Sequence, residues 1–254
     1  MHYDEIVRAY FRKIVEEHGL SRFTVKISGE ETIGKKVMFS IVPSKEFNLP
    51  SEEYAIAKGK EVIMECCFKN SKAHVFTAKP YKGILTLSKI VNLNLNSIAN
   101  RSIFFCALNA VMRYLGIVNK TIHCRGSEPE ICGIELTKWL RKRYGNIPIL
   151  LVGYQPAFAK ALTKVFNEVF ITDMDPDNIG KTVNGVAIAD DSKNSYFMKK
   201  VRIALITGSA VINSTLWPLI DEAKANNVET IIYGVSAAGV AKILRLKRLC
   251  FFGK

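Results

Sequence analysis

The segment Val201-Arg-Ile-Ala-Leu-Ile-Thr-Gly-Ser209 decides the fold class predicted for the C-terminal half of this chain. It is a short apolar run that ends in small polar residues, and comparable runs occur at 147–152, 168–172, 228–233 and 249–252. Helical patterns about ten residues long separate these runs. Short apolar strands that alternate with helices are typical of a mostly parallel sheet covered on both faces. The pattern therefore predicts an α/β fold.

Sequence signals also mark the helices of this half. Ser127-Glu-Pro-Glu130 has the pattern of a capping box with proline in the first turn, and the helix it opens ends at Gly145. Three further helices are predicted at 156–166, 213–225 and 236–244.

The N-terminal half has a different order of elements. An amphipathic helix is predicted over 3–18 with Gly19 as its stop, and a nearly wholly apolar helix over 100–114 ends at Gly116. The strands predicted between these helices are 23–27, 36–42, 61–68 and 74–77. Helix, strands and helix in this order indicate a small α+β unit. Because the two patterns do not fit one sheet, we predict two domains, 1–120 and 121–254, that meet at a cleft.

Composition restricts the cellular setting and the partners. Residues 1–19 carry charges throughout, the six cysteines lack a secreted spacing, and the uncharged run 203–220 is broken by Gly208, Asn213 and Pro218. We therefore expect a cytoplasmic protein with no membrane partner. The net charge of +13 suits a polyanion, yet no RNA-binding module or recognition helix accompanies it, so no sequence-specific nucleic-acid partner is expected. A homodimer stays open.

Candidate ligand-binding residues follow four predicted strands, because ligands of open parallel sheets bind at the carboxyl ends of the strands. They are Gly153, Tyr154 and Pro156 after the first strand, Asp173 after the second, Thr207, Gly208, Ser209, Asn213 and Thr215 after the third, and Gly234 and Ser236 after the fourth. Glycine and small hydroxyl residues let backbone N–H groups approach an anion. Turn formation and helix capping explain each loop separately, whereas the four together favour a ligand site.

The cofactor is left open. Asp173 stands where an acidic residue of a nucleotide-binding sheet takes ribose hydroxyls, but glycine-x-glycine-x-x-glycine and a Walker lysine are both missing. A nucleoside-containing ligand and a metal ion both remain candidates. Soft metal donors are Cys66, Cys67, His74, His123, Cys124 and Cys132, whose spacing is unfavourable for zinc because no Cys-x-x-Cys occurs. Oxygen donors for magnesium are Asp173, Asp175, Asp190 and Asp191, although a solvated loop explains them equally well.

Catalytic residues are not assigned, and whether the protein is an enzyme stays open. The sequence has no glycine-x-serine-x-glycine elbow, and its four histidines show no spacing that would give Ser209 a base.

Several of these motifs resemble a family. Ile206-Thr-Gly-Ser-Ala-Val-Ile-Asn-Ser-Thr-Leu216 with Gly234-Val-Ser236 is similar to the Thr-Gly-Ser, Asn-x-Thr-Leu and Gly-Pro-Ser motifs of the domain-of-unknown-function family labelled "putative heavy-metal chelation". Val152-Gly-Tyr-Gln-Pro156 and Ala107-Leu-Asn-Ala110 resemble two further motifs of that family and of the domain that precedes it. Val235 departs from the family's proline, and the chain ends soon after the fifth predicted strand.

The resemblance implies a fold and a site. It implies an enolase-N-terminal-like α+β domain over 1–120, a Rossmann-like domain over 121–254 and a ligand site in the cleft between them. It also adds Asn109 to the ligand-binding candidates. An amide buried there without partners would cost roughly 1–3 kcal/mol, so we expect its partners in the C-terminal loops or the ligand, or else within its own domain.

The functional hypothesis is a small-ligand-binding protein that holds an anionic metabolite or a metal chelate in this cleft. The turn 207–209 and the start of the next helix would grip the anion, Gly153 would let the ligand approach, Tyr154 would cover it, and Asp173 would take hydroxyls or a cation. The alternative is a non-enzymatic interaction module that docks a polyanion through its basic surface.

Overall fold

The computed structural model describes residues 3–20, 36–51, 53–55 and 57–254. The strand predicted at 23–27 lies outside them. Helix α1 (Tyr3–Glu17) is present as predicted, and the turn after it contains Gly19, whose φ of +61° only glycine adopts easily. Among the described residues, no helix is both long enough and apolar enough to cross a membrane.

The N-terminal half contains a four-stranded antiparallel sheet. Its strands are β1 (Lys36–Val42), β2 (Val62–Phe68), β3 (Ser71–Thr77) and β4 (Gly83–Thr86), in the order β3-β2-β1-β4. A short helix α2 (Leu87–Val91) and a long helix α3 (Ile98–Tyr114) follow. Three of these strands and α3 match the predicted elements to within a few residues.

The C-terminal half contains a separate seven-stranded sheet. Its strands are β5 (Ile149–Val152), β6 (Val169–Asp173), β7 (Thr182–Val183), β8 (Val186–Asp190), β9 (Ile203–Thr207), β10 (Glu229–Tyr233) and β11 (Lys247–Leu249). The order is β11-β10-β9-β5-β6-β8-β7, and every neighbouring pair is parallel except the β7–β8 hairpin. The predicted mixed α/β fold with a mostly parallel sheet is confirmed. The domain boundary at 120/121 and the Rossmann-like and enolase-like assignments stay predictions.

The helices of this half are α4 (Glu128–Tyr144), α5 (Pro156–Val165), α6 (Asn194–Met198), α7 (Leu216–Ala225) and α8 (Ala238–Ile243). The predicted capping box is wrong: the Ser127 side chain makes no capping hydrogen bond, and Glu130 accepts a bond from the Tyr54 hydroxyl at 2.5 Å. Helix α7 begins three residues later than predicted, because a 3-10 turn at 208–211 and Ser214, with φ +63°, precede it.

Helix α3 joins the two halves. Twelve of its seventeen residues are buried, and it packs on β2 and β3 on the N-terminal side and on α8 on the C-terminal side. One continuous core therefore contains apolar side chains from both halves.

Asn109 lies at this junction, 1% exposed. Its Nδ2 donates to the carbonyl oxygen of Ser236 at 2.8 Å, and its Oδ1 accepts from the N–H of Gly239 at 2.7 Å. Both partners are backbone groups of the C-terminal half. This agrees with one of the expectations stated above, that the partners of Asn109 lie in the C-terminal loops.

Replacing Asn109 by leucine should destabilise the protein. The buried carbonyl of Ser236 and N–H of Gly239 would lose their partner, at about 1–3 kcal/mol for each group. Denaturant unfolding measures the loss. Asn100→Leu on the same helix removes one exposed bond to the carbonyl of Asn94 and should cost much less. Equal losses for the two variants would contradict this role of Asn109.

Candidate functional site

A cavity of about 670 Å³ lies at the carboxyl ends of β5, β6, β9 and β10. Residues of the N-terminal half, including Glu61, Phe76 and Tyr54, form its opposite wall. Parallel strands end at one edge of the sheet, so their following loops converge there. The cavity is therefore bounded by both halves of the chain.

Eleven of the twelve predicted ligand-binding residues line this cavity. They are Gly153, Tyr154, Pro156, Asp173, Thr207, Gly208, Ser209, Asn213, Thr215, Gly234 and Ser236. That they bind a ligand stays a prediction. Asn109 is not in the lining, and its amide is engaged with backbone groups, so a direct ligand contact from Asn109 is not available in this geometry.

The structure shows why position 153 is a glycine, for a reason that the sequence did not reveal. Its φ is +87°, and a Cβ placed there would lie 2.6 Å from Cγ2 of Thr207 and 3.1 Å from the hydroxyl of Tyr233. That hydroxyl donates to the carbonyl oxygen of Gly153 at 2.5 Å. Glycine is thus required for the loop after β5 to pack against the ends of β9 and β10.

Asp173 fastens two loops together. Its carboxylate accepts from the N–H of Tyr154 at 2.5 Å, from the N–H of Asp175 at 2.7 Å and from Nδ2 of Asn178 at 3.3 Å. These donors use much of the hydrogen-bonding capacity of the carboxylate. Asp173 therefore holds the floor of the cavity, and fewer of its lone pairs remain for hydroxyls or a cation than the sequence suggested.

The turn after β9 also uses several polar groups internally. The Ser209 N–H donates to Oγ1 of Thr207 at 3.3 Å, and the Thr215 N–H donates to the carbonyl of Ala210 at 3.0 Å. Since α7 begins only at Leu216, these N–H groups have partners within the turn, and the grip of the turn and the helix start on an anion stays a prediction.

Ser236 connects the two walls. Its hydroxyl oxygen accepts from the N–H of Phe76 in β3 at 3.1 Å, and the side chain is 2% exposed. A residue chosen from the sequence as a ligand contact is thus also a bond between the two halves.

Glu61 is the main residue that sequence reasoning missed. It lies just before β2 and lines the cavity together with Asn213, whose amide favours the charged form of its carboxyl. Burial, together with the charges of Asp173 and Asp175, raises the pKa of its carboxyl. The other residues were identified because ligands bind at the carboxyl ends of parallel strands. That rule does not apply to a residue at the start of an antiparallel strand. The only available signal was a lone acid before an apolar run.

Two lysines hold the segment that precedes β2 in place through contacts with the loop after β6. Lys60 pairs with Asp175 and, at 2.6 Å, with Asp177, while Nζ of Lys58 donates to Oδ1 of Asn178 at 2.6 Å. These contacts hold one wall of the cavity against the loop after β6.

Three thiols line the cavity, those of Cys124, Cys132 and Cys250. Burial raises the pKa of each, so they are protonated at neutral pH. Burial lowers the pKa of the neighbouring His123 to about 4, and this imidazole is neutral. His74 is committed elsewhere, since its ring nitrogens bond Glu65 and the N–H of His123.

Comparison with known proteins supports the family resemblance. Residues 138–248 match the model of the family described as "Putative heavy-metal chelation", DUF364, which confirms the resemblance read from the motifs. A search of curated proteins gave no match.

A solved structure of a DUF364 protein has a similar fold. A DUF364 protein with unknown function from Pyrococcus horikoshii is 13% identical, covers 96% of this chain and 83% of its own, and has a TM-score of 0.59. A second, from Desulfitobacterium hafniense DCB-2, is also 13% identical, with coverages of 72% and 71% and a TM-score of 0.49. At 13% identity, the similarity to the first structure supports the fold and gives no information about function.

The family label raises the question of a metal ion. Across the described ranges, no three His, Cys, Asp or Glu side chains are arranged to hold one. The donor set of the described chain does not fit a metal ion held by side chains alone.

Gly153→Ala tests the packing of the loop after β5. The positive φ and the contact with Thr207 should together destabilise the protein by more than the ~1–3 kcal/mol expected for the backbone strain alone. Gly234→Ala is the matched control, because Gly234 has the same φ of +87° and a Cβ there would meet nothing within 4 Å. Denaturant unfolding of both variants separates the two contributions. Adding Thr207→Ser to Gly153→Ala should recover stability; no recovery would contradict the assigned contact.

Glu61→Gln should stabilise the protein at pH 8. The raised pKa means that the folded state binds the Glu61 proton more tightly than the unfolded chain, where the pKa is about 4.3. Wild-type stability therefore falls as the pH rises from that value through the folded pKa. The gain on substitution should be present at pH 8 and vanish near pH 4 in thermal unfolding. Glu16→Gln, at an exposed position of α1, should show no such difference. A gain that does not depend on pH would contradict the prediction.

Proposed function

We propose that this protein binds a small ligand in the cavity between its two halves. One observation carries the proposal: loops from four strands of the parallel sheet and a wall from the antiparallel half enclose a single volume of about 670 Å³. Ligand sites typically occupy about 300–1,000 Å³ and lie at this edge of α/β sheets.

The alternative for the cavity is a simple seam between two domains. A seam would be close-packed, because protein interiors have few voids larger than a water molecule. Here the contact between the halves is close-packed along α3, whereas the space at the strand ends remains open. The open volume thus lies where the predicted site residues converge.

The family description, heavy-metal chelation, is compatible with the proposal if the metal is bound as a chelate. Since the described side chains do not fit a bound metal ion, a metal in this cavity would come as a chelate whose own donor atoms complete its coordination. A metal chelate therefore stays within the proposed ligand class, and so does a nucleoside-containing molecule.

The basic surface supports a second candidate at a different place. Arg141, Lys142 and Arg143 end α4 just before β5, and Lys199, Lys200 and Arg202 precede β9. These residues lie at the amino ends of the parallel strands, at the opposite edge from the cavity. A polyanion that docks there would not compete with a ligand in the cavity.

A thermal-shift panel tests the proposal. It contains nucleotides, adenosylmethionine, and metals with and without chelators. A ligand at 100 times its dissociation constant should add about 2.7 kcal/mol to stability and raise the melting temperature.

Tyr154→Ala should reduce that shift, because this half-buried ring lines the cavity. Tyr196→Ala, which removes a 55% exposed ring on α6 outside the cavity, is the matched control and should leave the shift unchanged. Affinity for polyanions alone, lost as salt is raised, would contradict the proposal and support the basic-surface candidate.

A further inference from the structure

The charge of the cavity is opposite to that of the chain. The protein carries a net charge of +13, but six carboxylates line the cavity against a single lysine. They are Glu53, Glu61, Asp173, Asp175, Asp191 and Glu222, and the lysine is Lys60. This lining disfavours the anionic metabolite expected from the sequence.

The one lysine does not offset the other carboxylates. Lys60 is engaged by Asp175 and Asp177, and Glu53 pairs with Lys160 at 2.7 Å. Asp173 accepts three hydrogen bonds from N–H donors, one in the loop after β5 and two in the loop after β6. Within the described chain, no lysine or arginine pairs with Glu61, and the polar side chain that lowers its pKa is the neutral amide of Asn213. Among the described residues, Glu61, Asp191 and Glu222 are thus the remaining lining carboxylates that no lysine or arginine pairs with, and Glu61 is the one of them in the wall formed by the N-terminal half.

The rest of the lining suits an organic cation. Aromatic rings of Tyr54, Phe76, Tyr154 and Phe158 line the same volume. Ammonium and sulfonium groups are attracted to aromatic faces and to carboxylates, and they need no set of deprotonated ligands. A bare metal ion needs such a set, and the described residues do not provide one.

We infer that the ligand of this cavity is a small organic cation whose charged group lies against Glu61. This inference rests on the proposed function and specifies its ligand class. A positive group there would relieve the repulsion between Glu61 and the carboxylates of Asp173 and Asp175.

Matched pairs of probes test the charge requirement. Adenosylmethionine and adenosylhomocysteine differ by a methyl group and the sulfonium charge, and choline and 3,3-dimethylbutan-1-ol differ by the ammonium charge. Calorimetric titration at pH 8 should show tighter binding of the cationic member in at least one pair, by roughly ten- to a hundred-fold.

Glu61→Gln should remove this preference while the variant stays folded, which unfolding curves verify. Glu16→Gln removes one carboxylate outside the cavity and should keep the preference. Equal binding of the cationic and neutral members, a preference that survives Glu61→Gln, or no binding by either cation would overturn the inference.

The failure of the inference is distinguishable from that of the proposed function. If neutral or anionic members of the thermal-shift panel bind in a manner that depends on Tyr154, the cavity is a ligand site and only the cationic class is wrong. If no compound of any charge binds, both fall.

Discussion

The buried ion pair between Asp4 and Arg101 fixes the relative positions of four elements. Arg101 is 2% exposed, and its guanidinium donates to Asp4 at 2.7 Å and to the carbonyl of Val211 at 2.8 Å. Asp4 also accepts from Nε1 of Trp217 at 3.1 Å. A buried charge is costly unless it is paired, so α1, α3, α7 and the turn at 208–211 have to assemble together. That turn is part of the cavity wall, and the site thus depends on a helix at the other end of the sequence.

The loops at the cavity show how site residues also maintain the fold. Asp173, Gly153 and Ser236 each make a contact that holds one loop against another. Loops at a sheet edge need these contacts because their backbone groups have no partners in the strands. Fewer side chains are therefore available to the proposed ligand than line the cavity. Those of Tyr154, Ser209 and Glu61 line it and make none of the loop contacts described above.

Topology explains how much of this site the sequence predicts. Apolar runs in the sequence show where the strands end. A parallel sheet brings the carboxyl ends of its strands to one edge, whatever its strand order. Eleven lining residues could therefore be named from the sequence. Glu61 and Lys60 could not, because their position depends on how an antiparallel sheet docks through α3. The β7–β8 hairpin was missed although Asn184-Gly185, both with positive φ, is a strong hairpin signal. Its two strands are short, and their outer positions are exposed, so apolar periodicity is weak there.

The separation of charge between the two edges of the parallel sheet resolves an apparent conflict. A chain with a net charge of +13 should repel a cation, but that repulsion acts from exposed lysines and arginines through water and salt. At physiological ionic strength such interactions are largely screened beyond about 8 Å. Inside the cavity the carboxylates lie close to any ligand and are partly shielded from water, so their attraction is screened less. For the proposed ligand, the local charge of the lining therefore counts for more than the net charge of the protein, and the basic edge lies apart from the cavity.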